Sequence, residues 1–166
     1  MSIDSVLILG VGNTLLSDEG LGVHLVNKMQ SLYGEHESIE YLDGGTLSFT
    51  LAEPIARADG LIIVDAARLH SPPGSVKVFQ GEAMHRYLSG NRQSVHEVSL
   101  IDLLDIAMLT ESLPQAVFLV GIEPYSLEWG EQPSEPVAAG MHQAIGEIIK
   151  ILRDWGIQMP ESRAVG

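Results

Sequence analysis

Three side chains have the types and placing that chemistry at the edge of a sheet requires: Glu19, Asp65 and His96. Glu19 and its neighbour Asp18 follow an apolar run and a glycine turn in the stretch VLILGVGNTLLSDEGLGV, Val6 to Val23. Asp65 stands directly after Leu61-Ile62-Ile63-Val64, and His96 lies between the polar loop Ser89 to Ser94 and an amphipathic stretch that begins at Val98. Each has an ordinary explanation when taken alone. Acids at a helix start complement its dipole, a strand-terminal Asp caps a turn, and a single His is most often a surface or capping residue. Taken together they are two carboxylates and one imidazole, each at the end of an element. Such a nitrogen and oxygen donor set suits Zn²⁺ or another borderline first-row ion, Ni²⁺ included, and Glu19 is also placed to act as a base.

The elements that must hold these groups follow from the pattern around them. Val6-Leu7-Ile8-Leu9 is too short for a globular helix and apolar enough for a buried strand. Gly10 and Gly12 break it, Asn13 favours a turn, and Ser17 or Asp18 is placed to cap a helix carrying Leu21, Val23, Leu25, Val26 and Met29. Strand, glycine turn and helix in that order put the acidic pair outside the carboxyl end of the strand, where open parallel sheets bind ligands. The same turn partly matches a dinucleotide fingerprint, but Leu15 occupies the third glycine position and two acids stand where a pyrophosphate needs free N–H groups. The P-loop, H-E-x-x-H and G-x-S-x-G motifs are absent from the chain.

Further along, strand and helix patterns alternate. Ser38 to Leu42 reads as a second strand ended by Asp43-Gly44-Gly45-Thr46, with Thr46 capping a helix to about Ala58 that Pro54 interrupts or shortens. Leu61 to Val64 reads as a central buried strand. Ser75 to Gln80 reads as an edge strand, antiparallel in direction, and Glu82 to Leu88 as a short helix. Val98 to Leu109 reads as a helix, Ala116 to Ile122 as a buried strand, and Pro136 opens a last helix to about Trp155. The expected fold is α/β: three layers, a mostly parallel twisted sheet of about five strands, helices on both faces. The expectation is one domain over residues 1–166, with 157–166 a frayed tail.

Composition narrows the function classes. The chain has 22 acidic residues against 9 basic ones, a formal net charge of -13, which argues against nucleic acid or an anionic membrane as partner. It has no cysteine, so disulfides, thiolate metal sites and a cysteine nucleophile are excluded. A cysteine-free chain suits a reducing compartment, and cytoplasmic placement is expected. No basic leader precedes the first apolar run, and no run approaches the ~20 residues of a membrane span.

Five segments in order, LGVGNTLLSDEGLGV at Leu9 to Val23, DGGT at Asp43 to Thr46, IIVDA at Ile62 to Ala66, SVHEVSL at Ser94 to Leu100 and LVGIEPYSLE at Leu119 to Glu128, resemble the hydrogenase maturation proteases. That family trims the large subunit of nickel–iron hydrogenases. The resemblance runs from Val6 to about Trp155 and departs at Ser99, where glycine is the commoner residue. It implies that Glu19, Asp65 and His96 are the metal-contacting and catalytic set. It implies an endopeptidase that removes the C-terminal extension of a large-subunit precursor once nickel is inserted. Nickel then belongs to the substrate and serves as a checkpoint, no cofactor is tightly bound, and cadmium or zinc can substitute in vitro. The ion polarises the scissile carbonyl or activates a water, or Glu19 or Asp65 acts as general base. Three other classes are to be weighed: a nickel chaperone that binds metal without cutting, a nucleotide-binding oxidoreductase domain, and a metallo-amidase with its own metal.

Overall fold

The computed structural model describes residues 2–90 and 98–163. The first apolar run forms β1 (Val6–Val11), buried at every position. It pairs in parallel with β2 (Ile39–Gly45) on one side and β3 (Gly60–Ala66) on the other. β4 (Val76–Gln80) lies antiparallel on β5 (Ala116–Ile122), which in turn runs parallel to β3, so the sheet order is β2-β1-β3-β5-β4.

Side chains alternate across each strand, so the sheet has two apolar faces. Val6, Ile8, Ile62, Val64, Val120 and Ile122 pack against α1 (Leu21–Tyr33) and α5 (Glu135–Asp154). Leu7, Leu9, Leu61, Ile63 and Leu119 pack on the opposite side against α2 (Ala52–Arg57), α3 (Gly81–Gly90) and α4 (Leu100–Leu109). The continuous apolar runs of β1 and β3 are thus explained by burial from both sides. This is the three-layer α/β architecture expected, with the antiparallel edge strand in its expected place. Because α1 leaves β1 over one face and α2 leaves β2 over the other, the chain diverges between β1 and β3. Their carboxyl ends form the topological switch point, where such sheets open a ligand crevice.

Several local expectations are corrected. Neither Ser17 nor Asp18 caps α1: residues Ser17–Gly20 form a 3-10 turn, and Gly20 at the N-cap makes no side-chain bond. β2 does not stop at Leu42 but continues to Gly45, because β1 goes on pairing with it past a register shift at Gly10 and Val11. The helix placed from Thr46 is shorter, a 3-10 turn at Phe49–Leu51 followed by α2. Pro54 falls in the first turn of α2, where its missing N–H leaves no bond unmade. α4 starts at Leu100, not Val98, because Ser99 ends the preceding segment with a capping box: its side chain accepts from the Asp102 N–H, and its own N–H donates to Asp102. The segment after α5 holds contacts as far as Arg163. Ile157 is buried, Met159 packs on the core, and the Arg163 N–H donates to the Leu32 carbonyl at 2.7 Å.

Candidate active site

A cleft of about 570 Å³ opens at the switch point, and both Glu19 and Asp65 line it. Its other walls come from the loops after β1, β2 and β5, through Asn13, Thr46, Leu47, Pro124 and Leu127, and from Tyr87 and the start of α4.

The loop after β1 delivers Glu19. Gly12 has φ +133°, and a Cβ there would meet the Glu19 carbonyl oxygen at 1.8 Å, so only glycine lets the 3-10 turn close over the end of β1. The Asn13 N–H donates to Glu19 Oε2 and aims the carboxylate. Burial raises the Glu19 pKa, and that hydrogen bond offsets part of the rise. Asp65 is delivered by β3, inside the strand rather than just after it. Its Oδ1 accepts the Ala66 N–H at 2.8 Å. Packed protein around the carboxyl raises its pKa to about 8, and the negative charge of Glu19 adds to the rise. Two carboxylates that share one cleft cannot both ionise cheaply. Burial and their mutual repulsion favour a proton held between the two carboxylates, and a cation in the site would relieve both.

His96 lies outside the described residues. Val98 and Ser99, just beyond it in the chain, line the cleft. Among the described residues no group of three His, Cys, Asp or Glu side chains is placed to hold a metal ion.

Asp18 is not part of the crevice, although the sequence pairs it with Glu19. It is fully buried, and its carboxylate accepts the N–H groups of Tyr125, Ser126 and Ser134 at 2.9, 2.9 and 2.6 Å and the Ser134 hydroxyl at 2.7 Å. Burial alone would raise its pKa. These donors, the Ser126 and Ser134 N–H groups foremost, outweigh burial and hold it below the ordinary carboxylate value. Sequence reasoning also missed Tyr87, whose hydroxyl accepts the Arg68 N–H at 3.1 Å and joins α3 to the cleft wall. No motif signals that contact. It arises only when α3 packs back across β4, with Tyr87 stacked on Phe79 at 4.7 Å between ring centroids.

Fold and site define a doubly wound α/β protein with a pair of interacting carboxylates at its switch point. A sequence model described as hydrogenase maturation protease matches residues 23–151, and the chain belongs to that family of endopeptidases. The hydrogenase 2 maturation protease of Escherichia coli K12 is 33% identical, over 96% of this chain and 98% of its own. The solved hydrogenase maturating endopeptidase HybD from E. coli superposes with a TM-score of 0.87 at 33% identity, covering 96% of this chain and 98% of that one. The [NiFe] hydrogenase maturation protease HybD from Thermococcus kodakarensis gives a TM-score of 0.73 at 29% identity, over 89% of this chain and 98% of that one.

Proposed function

We propose that the protein removes the C-terminal extension of a nickel-loaded large-subunit precursor of a nickel–iron hydrogenase, in the cytoplasm, and that the substrate's nickel is the recognition element. The observation that carries this reading is the convergence of Glu19 and Asp65 in one cleft, with Asp65 raised to about 8 by burial and by Glu19. An incoming divalent ion relieves both penalties at once, so a partly liganded metal is a chemically apt key for this lock. His96 would supply a third donor, supported by the position of Val98 and Ser99 on the cleft wall. Three side chains leave at least one coordination position open for the substrate. Family membership supports the precursor as substrate.

Two routes to peptide cleavage fit the site. The ion polarises the scissile carbonyl or a bound water, or a carboxylate freed of its proton acts as base.

The test is processing of purified nickel-loaded precursor by Glu19→Gln, Asp65→Asn and His96→Ala variants. Each is expected to lose cleavage while folding normally: the two amides keep shape and hydrogen bonding but not the charge a cation needs, and His96→Ala removes a donor nitrogen. Near-normal processing by any one variant removes that residue from the set. The metal-chaperone reading predicts that wild type binds the precursor without shortening it.

A further inference from the structure

Four exposed apolar side chains of this strongly acidic chain stand on two adjoining loops beside the cleft. Tyr125, Leu127 and Trp129 follow β5 on one loop and are 70%, 46% and 80% exposed, and Leu15 on the facing loop is 51% exposed. The two loops are bound as one piece. Leu16 and Gly130 form a parallel bridge, the Ser17 N–H donates to the Gly130 carbonyl at 2.8 Å, and the Gly130 N–H donates to the Leu15 carbonyl at 2.9 Å. The Ser17 hydroxyl donates to the Glu128 carbonyl at 2.7 Å, and Asp18 buckles the strap from beneath through Tyr125, Ser126 and Ser134. Leu127 also lines the cleft, so the apolar surface is continuous with the site.

We infer that Leu15, Tyr125, Leu127 and Trp129 form a preorganised docking platform for the body of the polypeptide whose scissile segment enters the cleft. The inference rests on the endopeptidase reading above and adds how the client is held. A loose loop that displayed Trp129 would lose ordering entropy on binding, whereas a strap already fastened at both faces loses little. Large aromatic side chains ringed by polar ones are what anchors a protein interface. The exposed charges next in the chain are acidic: Glu128 and Glu131 on the loop and Glu135 at the start of α5. The complementary surface is therefore apolar with basic side chains around it. A second copy of this chain does not fit that description. Its own platform carries the same three glutamates on a chain of net charge -13, and an isologous contact would set like charges opposite each other.

The experiment compares wild type with the double variant Tyr125→Ala/Trp129→Ala on nickel-loaded large-subunit precursor, reading binding by interferometry and cleavage by gel under both limiting and saturating precursor. Both side chains are largely exposed, so the melting temperature should stay within a degree or two of wild type. The expected result is KM and Kd raised about 30-fold, with kcat within about twofold. An unchanged KM and Kd in the double variant overturns the platform. If wild type binds the precursor but does not cut it, and the double variant fails to bind, the platform stands and the endopeptidase reading falls. If wild type neither binds nor cuts, both fall. Wild-type self-association in sedimentation that the double variant abolishes would assign the surface to a second copy and overturn the proposal.

Discussion

Asp18 and Glu19 are adjacent in one turn and point to different partners. Glu19 turns into the cleft with the Asn13 N–H on its carboxylate, while Asp18 turns away, is fully buried, and gathers three N–H groups and one hydroxyl from residues 125–134. The 3-10 turn that carries them separates their directions, so one lines the cleft and the other fastens the strap beside it.

Asp18→Ala should cost about 3 kcal/mol, because it leaves buried donors without an acceptor. The pH dependence follows from the lowered pKa of Asp18. Its contribution is fully present above the ordinary carboxylate value of 3.8 and is lost as pH falls through the lower value of the folded state. Thermal melts from pH 7 down to pH 2 should show the wild type losing its margin over the variant only at the acid end.

Asp65 works in the other direction. Its pKa is raised to about 8 in the folded chain from 3.8, so the folded state holds a proton that the unfolded state gives up. Stability from this group is full below 3.8 and is lost as pH rises toward 8. In metal-free protein, Asp65→Asn should flatten the fall in melting temperature across that window and exceed wild type at pH 8. A variant that tracks wild type through the window contradicts the assignment.

Gly22 lies in the first turn of α1 where the helix crosses the ends of β1 and β3. A Cβ there would meet the Val64 carbonyl oxygen at 2.1 Å and the Val11 carbonyl oxygen at 2.6 Å. Gly22→Ala should therefore destabilise by about 2 kcal/mol or more, through a forced backbone shift that also displaces the turn bearing Glu19. Chemical denaturation measures the first effect and the processing assay the second.

Ser99→Ala removes the capping box of α4 and should cost about 1 kcal/mol, whereas Ser99→Gly should cost only a few tenths. The midpoint of urea unfolding distinguishes the two. Cleavage should survive both, since the cap orders the helix start and not the carboxylates.

The sheet was legible in the sequence because both faces are covered: β1, β3 and β5 announce themselves as unbroken apolar runs, and Asp65 stands out because a carboxylate ends one of them. Glu19 was legible from the turn around it. Asp18 was not, because its four donors lie 107 to 116 residues away, and the local pattern of an acid at a helix start looks the same as a cap. The extent of β2 was hidden for a similar reason. Asp43-Gly44-Gly45 carries every local turn signal, yet β1 supplies a partner as far as Gly45, and tertiary pairing overrides propensity. The apolar loop of Tyr125 to Trp129 reads as an ordinary connection until its bonds to Leu15, Ser17 and Asp18 show that it is held in place.

The central claim, that a metal carried by the substrate completes the carboxylate site, is tested most directly by one comparison. Purified large-subunit precursor is incubated with the protein in nickel-loaded and nickel-free form, and shortening is followed by gel mobility. The account predicts cleavage of the loaded precursor alone, with the nickel-free form left at full length. Equal cleavage of the two forms would contradict it.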